Sequence, residues 1–128
     1  MFADMIKSLF KVIYPEEMAD VELPPFGGRY RLEKEYKEYL EKSQPLFDEF
    51  EKTGRIVEVE ALVGKPMVGL SDEEEWLINF EHIMMGPDCV TVEEQDGKYV
   101  ISSNGGHRLY VAKKHGLKLL VKVRWWEE

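Results

Sequence analysis

Between Lys98 and Trp126 the chain is punctuated tightly enough to leave few folds open. Lys98 to Ser102 is rich in β-favouring residues. Asn104-Gly105-Gly106 then forms a turn, and Leu109 to His115 follows with helix-forming Ala and Lys. Gly116 supplies a left-handed stop, and from Leu117 apolar residues alternate with Lys118, Lys122 and Arg124 as in a closing strand. Upstream, Cys89 to Glu93 and Lys98 to Ser102 flank Gln95-Asp96-Gly97. Asp-Gly between two β-rich runs is a hairpin signal, because both residues tolerate positive φ. A hairpin followed by strand, helix and strand predicts an α+β domain with a small mixed sheet and surrounding helices.

The rest of the chain is read around that unit. Phe2, Met5, Ile6, Leu9, Phe10 and Ile13 recur at helical spacing before Pro15, predicting an opening amphipathic helix. It is expected to pack on the core or on a second copy of the chain. Residues 15–29, with Pro24-Pro25 and Gly27-Gly28, read as an irregular connector. Leu32, Tyr36, Tyr39 and Leu40 mark a second helix; Ser43-Gln44-Pro45 restarts a third carrying Leu46, Phe47 and Phe50, and Thr53-Gly54 ends it. Val57, Val59, Ala61 and Val63 alternate with Glu58, Glu60 and Leu62, predicting a strand closed by Gly64-Lys65-Pro66. Ser71 with Glu74 forms a capping box, and Trp76, Leu77, Phe80, Ile83 and Met84 give the next helix its core stripe. The division is thus a helical N-terminal extension over 1–55, packed on a domain over 56–128, in one compact unit.

Charge is distributed unevenly. The chain has 128 residues and a net charge of −8, yet 97–126 holds seven bases and no acid. The overall balance disfavours nucleic acid. The basic island is either a solvated face of one strand–helix–strand unit or an anion site. The sequence has no apolar run long enough for a membrane span, and the N-terminal stretch lacks the basic region and cleavage site of a secretory signal. A cytoplasmic protein is the expectation. The single cysteine, Cys89, has no partner for an internal disulfide, in keeping with a reducing compartment.

The glycine turn carries the chemistry. A helix that starts directly after two glycines points main-chain N–H groups and a partial positive charge at whatever lies before it, which suits phosphate. Asn104, Gly105, Gly106, His107 and Arg108 are the candidate phosphate- or nucleotide-binding residues. Arg108 can offer a planar fork to phosphate oxygens and His107 one further hydrogen bond. Equally, Arg108 can pair with a carboxylate from the acidic half.

The stretch Lys98 to Lys118 resembles the signature of the ParB N-terminal/sulfiredoxin superfamily, with Gly105, His107, Arg108, Leu109, Ala112, Lys113, Gly116 and Leu117 fitting its pattern. The resemblance covers roughly 56–124. It implies a ParB/sulfiredoxin-like fold and phosphate contact at Gly105, Gly106, His107 and Arg108. It also implies a nucleotide, ATP or CTP with Mg²⁺, since its members include CTP-hydrolysing chromosome-partitioning proteins, ATP-using sulfiredoxins, free-serine kinases and reported nucleases. The chain departs from the pattern at Gly106, where sulfiredoxins carry a nucleophilic cysteine and partitioning proteins a glutamate. Cys89 starts a different strand and reads as a buried apolar residue. No helix-turn-helix follows the motif, so DNA binding and nuclease activity rank below nucleotide binding.

No catalytic residue is assigned. His107 and His82 are the single candidates for acid–base work, and His115 reads as a favourable charge at a helix end. Asp72, Glu73 and Asp88 are the carboxylates that could reach a nucleotide's Mg²⁺, and Lys65 reads as a solvated turn residue or a further phosphate contact. Trp125-Trp126 places one indole on each face of the last strand, one expected in the core and the other at an edge or partner contact. The reading is a domain that binds a nucleotide or other phosphorylated small molecule at 104–108, with phosphotransfer or NTP hydrolysis as the reactions it admits. The alternative is a non-catalytic interaction or regulatory module, in which a homodimer or protein partner docks on the N-terminal segment and Trp126.

Overall fold

The computed structural model describes residues 5–23, 25–27, 31–62, 64–66 and 68–127. Four strands, β1 (Met5–Ile13), β2 (Thr91–Gln95), β3 (Lys98–Ile101) and β4 (Leu119–Glu127), form one mixed sheet in the order β1-β4-β2-β3. β2 and β3 make the hairpin expected at Asp96-Gly97, whose φ values of 52° and 83° give both turn residues left-handed backbone. β4 lies parallel to β2, a relation that requires a crossover, and α4 (Gly106–His115) supplies it. Helices α1 (Glu33–Thr53), α2 (Val57–Glu60) and α3 (Asp72–Met84) complete the α+β architecture.

Three sequence expectations are corrected. The opening segment is a strand, not a helix: Met5 to Ile13 pairs antiparallel with Glu127 to Leu119 along its whole length. Ile6, Leu9, Phe10 and Ile13 satisfy helical spacing, but the partner that bonds their main chain lies more than a hundred residues away, beyond the reach of any local pattern. Phe2, the first residue of that stripe, lies outside the described residues. The N-terminal part therefore supplies one strand to the central sheet in addition to the helix α1. Its Ile13, Met18, Leu40 and Phe47 share one core with Phe80, Val92, Leu109 and Leu120.

The second and third helices are one. α1 runs unbroken through Pro45. Proline removes the main-chain donor of the Glu41 carbonyl, and in the turn before it Ser43 Oγ donates to the Tyr39 carbonyl at 2.8 Å and Gln44 Nε2 to the Leu40 carbonyl at 3.0 Å, alongside the helical bonds those carbonyls already accept. Burial of Leu40 on one side of Pro45 and Leu46 and Phe47 on the other holds both halves on a common core.

The strand expected over 57–63 is the short helix α2. Burial falls on Ile56, Val59 and Leu62, a period of three, while Val57 is exposed. Among the described residues the alternation of valine with glutamate has no neighbouring strand to pair with. Glu49 Oε2 instead accepts from the Val57 N–H at 2.7 Å and turns the chain into a helix. Val63 lies outside the described residues.

Ser71 and Glu74 form the expected capping box, with reciprocal bonds of 3.1 and 3.0 Å. The connector after β1 crosses to the far edge of the sheet, where Met18 bridges Tyr99 in parallel and the Ala19 N–H donates to the Tyr99 carbonyl at 2.9 Å. Pro24 and Gly28, read as connector residues, lie outside the described set. Cys89 is buried, as expected. No helix is long and apolar enough to cross a membrane.

Candidate functional site

Gly105 sits at the N-cap of α4 with φ +102° and, being glycine, brings no side-chain cap to the helix. The first turn of α4 contains no acid. Its dipole meets no acid of its own first turn where Gly106, His107 and Arg108 begin the coil. A cleft of about 290 Å³ opens there, walled by Ser103 to Arg108, Ile101 and Tyr36. A smaller hollow of about 160 Å³ shares Tyr36 and Arg108 as walls and adds Arg31, Tyr39 and Ile83.

The two glycines answer to the protein's own packing. A Cβ on Gly105 would stand 2.7 and 2.8 Å from the Val90 methyls, and one on Gly106 would stand 3.2 Å from Leu23 Cδ2. Gly105 is required by its backbone angle and by Val90. Gly106 lets the connector pack on the start of α4.

Arg108 is 9% exposed and its guanidinium donates to two main-chain carbonyls, Ile83 O at 2.9 Å and Asp88 O at 2.6 Å. Asn104 Nδ2 donates to the same Asp88 oxygen at 2.9 Å. Both residues therefore fasten the glycine turn to the end of α3, and neither presents its bonded group to the cleft. Among the described residues no carboxylate lies within 4.0 Å of Arg108, so the pairing of Arg108 with an acid, one of the two readings of the sequence, does not occur. Burial pushes the guanidinium down from its ordinary pKa, opposed by the fields of Tyr36 and Asp88.

His107 lies edge-on to Phe26, ring centres 4.9 Å apart, and nearly parallel to Tyr36 at 5.8 Å. Tyr39 Oη is buried in the structure without a hydrogen bond, and burial pushes its pKa up to about 12, moderated by Arg31 and Arg108. It stays a protonated donor. Arg31, Tyr36, Tyr39 and Phe26 are the residues that sequence reasoning missed. Tyr36 and Tyr39 were legible only as an apolar helix stripe, and nothing local tied them to a turn some seventy positions on.

Other candidates lie elsewhere. His82 Nε2 is 3.7 Å from Asp88 Oδ2 on the surface. His115 Nε2 meets Glu33 Oε2 at 2.9 Å and Lys114 joins the same carboxylate, so this pair ties the end of α4 to the start of α1. Asp72 and Glu73 begin α3 whereas Asp88 follows its end, with the thirteen-residue helix, about 20 Å long at 1.5 Å rise per residue, between them. They cannot share a cation, and among the described residues no group of three His, Cys, Asp or Glu could hold one. Lys65 is exposed and does not wall the cleft. Neither tryptophan of the last strand is in the core: Trp125 is 37% and Trp126 66% exposed, because β2 pairs β4 only as far as Val123.

Compared with protein-family models, with curated proteins and with solved structures, the chain matches none.

Proposed function

We propose that the cleft at the start of α4 binds a phosphorylated small molecule, with a nucleotide as the best fit. The observation that carries this reading is Arg108: a guanidinium buried in the cleft wall that, among the described residues, has no carboxylate in ion-pair contact and only the field of Asp88 against its burial. Carbonyl oxygens satisfy two of its N–H groups, but a desolvated cation is stabilised fully only by an opposite charge. An anion in the cleft supplies that charge and meets the positive end of the α4 dipole at the same place.

Each neighbour then takes a role. The α4 amides hold phosphoryl oxygens, Arg108 contributes long-range field from beneath, and Arg31 adds a second cation at the hollow. Tyr39 donates its unused hydroxyl. The rings of Tyr36 and His107 provide an apolar wall for a base. The described residues offer no three-ligand cation site, so Mg²⁺ enters this reading only as the counter-ion that ATP or CTP brings with it. Phosphotransfer and NTP hydrolysis are both compatible with such binding, and no step is assigned.

The test is thermal shift with ATP, CTP and pyrophosphate, with and without Mg²⁺, on the wild type and on Ser103→Asp and Arg31→Glu, two exposed positions in the cleft walls. A ligand at about a hundred times its Kd adds about 2.7 kcal/mol to stability, a rise of several degrees for a domain of this size. Both variants should lose most of that rise. Absence of any shift at millimolar ligand overturns the reading, and pyrophosphate matching the nucleotides would retain the phosphate site and remove the base wall.

A further inference from the structure

β1 lies at the border of the sheet, with β4 on one side and no strand among the described residues on the other. An edge of nine residues presents a row of main-chain donors and acceptors to any extended segment. Ile6, Lys7, Ser8 and Leu9 are all exposed, Ile6 at 45% and Leu9 at 49%. The far end of β4 continues this apolar ground with Trp126, paired directly with Ile6.

Charge decides what such an edge accepts. β1 carries Lys7 and Lys11 and no acid, and β4 beside it carries Lys122 and Arg124 with Glu127 as its single acid. These two strands form a basic ribbon on a chain whose net charge is −8. Lys7, Leu9 and Lys11 alternate onto one face, and Ile6, Ser8 and Phe10 onto the other. Lys11 Nζ donates to the Tyr99 hydroxyl at 2.8 Å and feels the fields of Glu17 and Glu94, whereas Lys7 is exposed on the same face.

A second copy of the chain fits this edge badly. Antiparallel self-pairing along the whole strand centres on Leu9 and sets Lys7 against Lys11 of the copy, twice. Like charges directly opposite one another destabilise a ladder. The same two lysines favour a strand with acids at the matching positions.

We propose that the outer edge of β1 is a strand-addition site for an extended acidic segment of another protein, pairing antiparallel, with acids opposite Lys7 and Lys11 and apolar residues opposite Leu9 and Phe10. Main-chain bonds give the affinity and the two cross-strand ion pairs give the selectivity. This site is separate from the cleft at α4 and stands or falls independently of it.

The probe is a labelled, end-blocked peptide, Thr-Glu-Val-Ile-Thr-Glu-Val, titrated into the full chain and followed by fluorescence anisotropy. Two control peptides replace both glutamates by lysine or N-methylate alternate amides. The acidic peptide should bind at least about tenfold more tightly than the lysine peptide, the difference expected when two attractive cross-strand pairs become repulsive. N-methylation should abolish binding. In Lys7→Glu, and in the double variant Lys7→Glu/Lys11→Glu, the preference should shrink and then invert, with thermal unfolding confirming that each variant is folded. Equal binding of the acidic and lysine peptides, binding that survives N-methylation, or no binding at millimolar peptide overturns the proposal. A wild-type dimer in sedimentation that Lys7→Glu tightens, by turning both Lys7–Lys11 contacts into attractive ones, also overturns it, in favour of a second copy.

Discussion

The Arg108 guanidinium meets the main-chain carbonyl of Asp88 at 2.6 Å, across twenty positions of sequence, and thereby locks the start of α4 to the loop that ends α3. This contact makes Arg108 a structural clamp first and a source of positive field second. Replacing Arg108 with Met leaves the Ile83 and Asp88 oxygens without their buried donor. The expected loss is about 3 kcal/mol, with Arg108→Lys about 2 because a single ammonium cannot span both carbonyls. Urea unfolding should show a lower midpoint at unchanged slope.

Gly105 and Gly97 both have positive φ, yet only the first is also crowded. Gly105→Ala should destabilise by about 3 kcal/mol, combining backbone strain with overlap on Val90. Gly97→Ala, with open space around its Cβ, should lose about 1 kcal/mol. Parallel thermal unfolding of the two variants checks the order.

Among the described residues the buried Tyr39 hydroxyl has no hydrogen-bond partner. Tyr39→Phe should therefore stabilise the domain at neutral pH by about 1 kcal/mol, since it removes an unsatisfied polar group. The pH dependence has a definite sign. Tyr39 is raised from 10.0 to about 12 in the folded chain, so between those values the unfolded state has lost a proton that the native state keeps. Stability is complete below pH 10 and falls as pH rises toward 12. Denaturant midpoints measured across this window should fall less steeply in Tyr39→Phe.

On the acid side, His115 and Lys114 hold the Glu33 carboxyl below its ordinary 4.5. Its contribution is present above that value and is lost as pH falls through the lowered one. Acid titration of Glu33→Gln, followed by circular dichroism, should show a shallower loss of structure below about pH 4.5 than the wild type.

Ser71→Ala removes the side-chain acceptor of the Glu74 N–H at the start of α3. The expected loss is about 1 kcal/mol, and Glu74→Gln, which keeps an oxygen for the Ser71 N–H, should lose less. Chemical unfolding distinguishes the two.

What the sequence by itself determined are the elements whose signals are local. Asp96-Gly97 requires positive φ at two adjacent positions, Ser71 and Glu74 satisfy each other's main-chain donors, and Gly105 and Gly116 bracket a ten-residue helix. Each is decided by residues within a turn of one another, so the pattern is visible without the fold. Tertiary structure decided the rest. Ile6 to Ile13 is a strand because β4 is there to bond it, Pro45 sits inside a helix because Leu40 and Phe47 are buried in one core, and 57–60 is helical because the core buries Ile56, Val59 and Leu62 at a spacing of three. The candidate cleft divides the same way. Its glycine turn was legible, whereas the burial of Arg108 against Ile83 and Asp88, and the approach of Tyr36 and Tyr39 from α1, depend on contacts that only chain folding creates.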